Sequence, residues 1–198
     1  MHRLTTSFIL GYHGCSEDVA EQLLAGKPFH ISQNDHDWLG SGIYFWQANP
    51  HRALSFAREV KRRRKEEWPP AVVGAVIDPG LCLDLASEVG VEAVKAAHTS
   101  LIKIYAKGGK PLPQNTGGKD LLQRFLDRAV IETLHDIRNG VDENGLPFEP
   151  IDTVLGIFIE GSPIYENSGF YQKTHIQICV RDPKRIKGVF RVRASDIA

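Results

Sequence analysis

Two glycine-flanked aromatic segments contain the residues whose types and spacing best suit ligand chemistry. The first is 11–16, with the sequence GYHGCS, and the second is 40–46, with the sequence GSGIYFW. Glycine beside a strand end lets a ligand approach the backbone closely, and an imidazole at such a junction can donate or accept a hydrogen bond. Taken singly, each segment has a plainer interpretation. A lone histidine after a strand is more often a turn residue, and GIYFW could be an ordinary core strand.

Together, the two segments resemble the poly- and mono-ADP-ribosyltransferase superfamily of the diphtheria-toxin type. Those enzymes carry a His-Tyr-Glu triad, with the histidine in an HG[ST]-like strand end and the tyrosine in a G-[IVL]-Y-F strand that a helix follows. Here His13-Gly14 and the stretch 42–45 (GIYF) match in order and in predicted strand context. Over nearly its whole length, the chain is also similar to bacterial stand-alone proteins with GYHGC, DWLGxGIYFW and HIQICVRDPxxIKG segments.

The third triad position is where the chain departs from this superfamily. The family's glutamate opens a late strand, and reading back from the segment IKGVF at 186–190 places Gln177 at that position. If the apolar residues that alternate with it face the core, Gln177 faces the opposite side of the strand. A solvent-facing strand residue is the plainer interpretation. The resemblance implies the catalytic triad His13, Tyr44 and Gln177.

The resemblance implies an enzyme that splits NAD+ at the nicotinamide–ribose bond and transfers ADP-ribose. The residues it implies for NAD+ binding are His13, Gly14, Tyr44, Phe45 and Phe56. Among them, Gly14 would pair its backbone with the carboxamide, and Tyr44 would stack on the nicotinamide ring. Gln177 would bond the ribose 2′-hydroxyl. Family members fold the loop that holds Asp37 and Trp38 over the adenosine side, where Asp37 could bond a ribose or cap a turn.

An amide in place of the family's carboxylate changes the expected chemistry. A carboxylate stabilises developing positive charge and can take a proton from the acceptor, whereas an amide orients the ribose but does neither. Turnover is therefore slow, or the acceptor is already nucleophilic, or another carboxylate assists. Glu160 and Glu166 lie before Gln177, with Tyr171, in the segment that forms the acceptor loop in the family. Each of these acids could equally be an ordinary surface residue.

A mixed set of strands and helices must position these residues. Strands are predicted over 7–12, 42–46, 71–77, 81–85, 153–160, 175–181 and 188–192. Helices are predicted after Ser16 and after Asn49-Pro50, and then over 87–106 and 121–137. The chain has no repeat or linker, which predicts one α+β domain over residues 1–198. The resemblance adds split antiparallel β-sheets flanked by helices.

Composition and motif content exclude several classes of protein and of site. The formal net charge is +0, so attraction to nucleic acid or membrane would have to come from a local patch. The cysteines form no CxxC pair and the histidines form no HExxH motif, so neither a disulfide framework nor a metal site is expected. No apolar run is long enough for a signal peptide or a membrane span. We therefore expect a cytoplasmic protein without a metal.

The expected acceptor is a macromolecule, with nucleic acid favoured over protein. A base amine is a better neutral nucleophile than a hydroxyl. The basic run 61–65 and the basic C-terminal strands could bind phosphate, and Tyr165, Phe170, Tyr171 and Lys173 suit the stacking of single-stranded RNA or DNA. NAD+ glycohydrolysis, and a silent module that binds NAD+ or ADP-ribose, remain open alternatives. The family's habits suggest a toxin or phage-defence effector, with an antitoxin as a further partner.

Overall fold

Seven strands form one mixed sheet in the computed structural model, which describes residues 7–197. The strands are β1 (Ile9–Ser16), β2 (Ile43–Gln47), β3 (Pro70–Ile77), β4 (Cys82–Asp84), β5 (Thr153–Phe158), β6 (His175–Val180) and β7 (Ile186–Arg191). Their order is β4-β5-β6-β2-β1-β3-β7, and β4–β5 is the parallel pair. The predicted α+β class is confirmed.

Four α-helices accompany these strands in the described range: α1 (Glu17–Leu24), α2 (Pro50–Arg64), α3 (Glu88–Lys107) and α4 (Phe125–Arg138). The first two begin as predicted. The Ser16 hydroxyl accepts the N–H of Val19 at 3.4 Å, and the Asn49 side chain accepts the N–H of Arg52 at 2.9 Å. Helix α4 begins four residues later than predicted, because Leu121 has a φ of 48° and belongs to a turn.

The sheet is nearly divided between β1 and β2. These strands pair through only two residue pairs, Gly11 with Gln47 and Tyr12 with Trp46, whereas β1 pairs with β3 along all eight of its residues. Beyond Tyr12 the two strands diverge. The predicted separate antiparallel sheets are therefore joined: the two-residue contact connects the halves β4-β5-β6-β2 and β1-β3-β7 into one sheet, in which β4–β5 is parallel. The gap between β1 and β2 is called the split below.

Apolar side chains fill both faces of the sheet. On one face, Leu39, Val154 and Cys179 pack against α3 and α4 through residues such as Leu101 and Ile131. On the other face, the buried cluster consists of Ile43, Phe45, Ala75, Ile77, Ile178 and Val180. Helix α2 packs on β1 and β3. The residues that flank the split are thus anchored by cores on both sides of the sheet.

Gly14 is required for the contact between β1 and α2. A Cβ atom at this position would lie 2.0 Å from the carbonyl oxygen of Ala53 in α2. We expect Gly14→Ala to lower the free energy of unfolding by about 2 to 3 kcal/mol, because neither backbone can move away without disturbing its own element. Gly188→Ala in β7 is the matched control, since a Cβ there meets nothing within 4 Å. Urea denaturation measures both variants, and wild-type stability in Gly14→Ala would contradict this packing.

Candidate functional site

A cavity of about 520 Å³ runs along the split and beside α2, a volume ordinary for a small-molecule site. The predicted residues that line it are His13, Gly14, Tyr44, Phe56, Glu160 and Gln177. They come from β1, β2, α2, β6 and the segment just after β5. The structure therefore brings the whole predicted triad to one cavity.

His13 bridges the split at the start of this cavity. Its Nδ1 lies 2.9 Å from the carbonyl oxygen of Tyr44. A carbonyl can only accept, so Nδ1 carries the proton, and Nε2 of the neutral ring is the acceptor. Burial lowers the pKa of His13, which outweighs the opposite effect of this hydrogen bond and keeps the ring neutral at pH 7. His13 can thus accept a hydrogen bond from a ligand hydroxyl.

The backbone of Gly14 faces the split. The N–H of Ala48 donates to the Leu10 carbonyl at 2.9 Å, and Tyr12 pairs with Trp46. Successive residues of a strand direct their N–H and C=O groups to opposite neighbouring strands. Since Leu10 directs its carbonyl toward β2, the other even-numbered residues of β1, including Gly14, direct their N–H and C=O groups to the same side. At Gly14 the strands have already diverged, and no strand in the described residues pairs with it on that side. One donor and one acceptor are left side by side in the cavity.

Tyr44 contributes its ring to the cavity and its hydroxyl to the neighbouring loop. The hydroxyl donates to the Gly40 carbonyl at 2.8 Å and accepts the N–H of Leu39 at 3.0 Å. Burial raises the pKa of Tyr44, so the phenol stays protonated. Phe56, which also lines the cavity, packs on Trp46 with ring centroids 4.8 Å apart. Because its hydroxyl is engaged, Tyr44 can offer a ligand only its ring, and stacking on a nicotinamide stays a prediction.

Gln177 is held by Trp38. The indole Nε1–H of Trp38 donates to Oε1 of Gln177 at 2.6 Å, and the Trp38 ring meets Phe158 edge to face at 5.2 Å. The sequence placed Trp38 on the adenosine side of the ligand, whereas the structure places it beside the third triad position. Asp37 accepts the hydroxyl of Ser32 at 2.7 Å and so closes a turn.

Glu160 belongs to a compact group of four charged side chains. Its carboxylate lies 2.9 Å from Arg52 and 3.0 Å from Lys173, and Glu59 lies within 3.4 Å of both cations. Burial raises the pKa of Glu160, but the hydrogen bonds and charges of Lys173 and Arg52 outweigh this effect and lower it overall. Glu160 is therefore an ionised carboxylate fixed in the cavity wall, and two positive and two negative charges leave the group formally neutral.

Three predicted site residues lie away from the cavity. Phe45 is fully buried and packs in the core with Ile178, because alternation along β2 turns it away from the face that Tyr44 and Trp46 share. Its predicted contact with NAD+ is wrong. Glu166 and Tyr171 lie in the segment between β5 and β6 and do not line the cavity either.

The predicted basic surface on the C-terminal strands is partly matched by acidic side chains. Two of its arginines have acidic partners: Arg185 lies 2.6 Å from Asp152, and Arg191 lies 2.6 Å from Glu21. Lys173 is engaged by Glu160, as described above. Two residues of the other basic run, Arg63 and Arg64, line the cavity. The cavity wall therefore also offers cations that a phosphate group could contact.

Sequence analysis missed several residues that line the cavity, including Trp46, Arg52, Glu59 and His175. For α2 a signal was available. Arg52, Phe56, Glu59 and Arg63 recur at intervals of three or four, which places them on one helix face. Phe56 on this face was already a predicted ligand contact, so the polar residues one turn away from it could have been grouped with it.

Among the described residues, the structure gives no support for metal binding or for reactive thiol chemistry. In residues 7–197, no group of three or more histidine, cysteine, aspartate or glutamate side chains is placed to hold a metal ion. The three cysteines are free, and burial raises the pKa of Cys15 to about 11, which keeps this cavity residue in the unreactive thiol form. Within the same range, none of the helices combines the length and the apolar character that crossing a membrane requires.

Comparison with known proteins gives one short match. A stretch of 40 residues is 42% identical to an uncharacterized protein of Methanocaldococcus jannaschii, and it covers 20% of this chain and 19% of that protein. No model of a known protein family matches the chain, and no solved structure matches it.

Proposed function

We propose that this protein is an NAD+-dependent ADP-ribosyltransferase. The observation that carries the proposal is the backbone N–H and C=O of Gly14, which face the cavity together. A primary carboxamide is their chemical complement, because it offers one N–H donor and one C=O acceptor side by side. The ring of Tyr44, which would stack on a nicotinamide, lines the same cavity.

In this reaction the bond between nicotinamide and the ribose carbon breaks, and nicotinamide leaves with the electron pair. The ribose carbon becomes cation-like, as in glycoside cleavage. The acceptor then gives a lone pair to that carbon and loses its proton to solvent. His13 accepts a hydrogen bond from a ribose hydroxyl through Nε2, while the stacked ring and the Gly14 backbone hold the leaving group. The enzyme contributes mainly positioning, which can supply a large part of a rate enhancement.

The charges in the cavity favour an acceptor that is already nucleophilic. Gln177 carries no charge, and the carboxylate of Glu160 is matched by Arg52 and Lys173. Neither residue is an efficient base for a hydroxyl acceptor. A nucleic-acid base amine fits better, and the aromatic side chains Tyr165 and Phe170 are 58% and 67% exposed, where bases could stack on them. We therefore retain RNA or DNA as the proposed acceptor.

A silent module that binds NAD+ or ADP-ribose is the second candidate, and the uncharged Gln177 favours it. Counting free nicotinamide separates the possibilities. Release without any macromolecule indicates NAD+ glycohydrolysis, release only with an acceptor indicates transfer, and binding without release indicates the module. A role as a toxin or defence effector, with an antitoxin, belongs to the same proposal.

Incubation with NAD+ labelled in its adenylate part and with cell lysate tests the transferase. We expect label on nucleic acid as single ADP-ribose units, because chain extension needs a carboxylate that activates an incoming ribose hydroxyl and Gln177 replaces it. Label should survive protease, disappear with nuclease and weaken as salt is added. A discrete labelled protein band after nuclease treatment would make a protein the acceptor. Heterogeneous ladders of high mass would contradict single-unit transfer.

A further inference from the structure

We infer that Trp38 is a positioning residue that turns the amide nitrogen of Gln177 toward the cavity. This corner of the site is then a hydrogen-bond donor, and the ligand atom that contacts Gln177 is an acceptor. The inference rests on the proposed function only for the identity of the ligand. The geometry of the two side chains carries the rest.

The chemistry of the contact decides the orientation of the amide. An indole N–H can donate but cannot accept, so the amide atom 2.6 Å from it must be the oxygen. The NH2 group therefore points away from Trp38, and no side chain or carbonyl in residues 7–197 accepts a hydrogen bond from it. Gln177 lines the cavity, so its two N–H donors are available to a bound molecule.

Trp38 is itself held on several sides. Phe158 packs edge-on against its ring, and a Cβ atom at Gly156 would lie 2.5 Å from the indole. Gly156 pairs directly with Gln177 across β5 and β6. The turn before Trp38 is closed by Asp37, whose carboxylate accepts the N–H of Asn34 at 2.9 Å. The indole donor is therefore fixed before any ligand binds.

This arrangement assigns a specific chemistry to the third triad position. Two N–H donors can hold a ribose hydroxyl by its oxygen lone pair, and they cannot remove its proton. A glutamate at position 177 could accept the same indole hydrogen bond with one oxygen and turn the other to the cavity. Trp38 would thus orient either residue, and the side chain at position 177 decides whether the site donates or accepts.

Nuclear magnetic resonance of 15N-labelled protein tests the contact without any activity. Trp38→Phe assigns the Trp38 indole signal. We expect this signal to move in Gln177→Leu, to stay close to its wild-type position in Gln177→Glu, and to leave the Trp68 indole signal unchanged in both variants. Trp68 is the control because its indole bonds Glu66. On addition of NAD+ or ADP-ribose, the side-chain N–H signals of Gln177 should shift.

A double-mutant cycle on transfer provides the functional measurement. Trp38→Phe should lower kcat/KM about tenfold, the usual scale for one lost hydrogen bond in a partly buried site. In the Gln177→Leu background the same change should have little further effect, because Trp38 acts through Gln177.

Two results would overturn the inference: a Trp38 signal indifferent to Gln177→Leu, or additive kinetic losses. If the indole signal responds as expected but NAD+ and ADP-ribose leave the Gln177 amide unchanged, the contact with Trp38 is supported and the proposed function is what fails.

Discussion

His13→Asn should reduce NAD+-dependent transfer by about a hundredfold or more, the usual cost of losing one group aligned with developing charge. The side-chain nitrogen of asparagine lies close to the position of Nδ1 in histidine, so the variant can still donate to the Tyr44 carbonyl across the split. It has no counterpart of Nε2. The substitution therefore removes the acceptor that would face the ribose while it preserves the hydrogen bond that ties β1 to β2.

His13→Ala is the companion variant because it removes both nitrogens. We expect the same loss of transfer, with an additional loss of stability of about 1 kcal/mol from the missing bridge. Initial rates of nicotinamide release and melting temperatures measure the two effects separately. Transfer at the wild-type rate in His13→Asn, with an unchanged melting temperature, would remove His13 from the site.

The second large effect concerns the pH dependence of folding stability, which we expect to arise from the buried side chain of His135. This residue is 1% exposed, and neither ring nitrogen has a hydrogen-bond partner in the described part of the chain. Burial lowers the pKa of His135 from 6.5 to about 4, and the nearby Arg181 acts in the same direction. Between these values the unfolded chain binds more protons than the folded one, so stability falls as the pH drops. The loss by pH 4 should approach about 3 kcal/mol.

His135→Leu isolates this contribution. Burial also lowers the pKa of His13 and His175, so the wild type carries further pH dependence of the same sign. The difference between wild type and variant is therefore the informative quantity. Urea denaturation at pH 7, 6, 5 and 4.5 should give a shallower decline of the free energy of unfolding in the variant. Identical slopes would show that His135 is protonated or solvated in the folded state.

Local signals in the sequence predicted the elements well where they act over a few residues. Ser16 and Asn49 cap their helices as expected, because a side chain that bonds a backbone N–H three residues away needs no tertiary context. The start of α4 was misplaced, because Asn115 in the preceding loop accepts the N–H of Leu126 and helps to set where the helix begins. No pattern within the helix encodes that contact.

The candidate site was predictable in part. Two short motifs and a register argument brought together His13, Tyr44 and Gln177, and the structure places all three on one cavity. The error at Phe45 was avoidable, since neighbours in a strand face opposite sides. The contact between Trp38 and Gln177 spans 139 positions in the sequence. It depends on how the loop before β2 folds over the end of the sheet, which composition and spacing do not specify.

The central claim is that Gly14 recognises a carboxamide, and a comparison of nicotinamide with nicotinate tests it most directly. Both rings can stack on Tyr44, but a carboxylate cannot donate to the Gly14 carbonyl and would be repelled by it. Binding is followed through the backbone amide signal of Gly14 in 15N-labelled protein, with each compound titrated separately. We predict that nicotinamide shifts this signal and displaces NAD+, while nicotinate does neither. Equal binding of the two compounds, or no response of Gly14 to nicotinamide, would contradict the account.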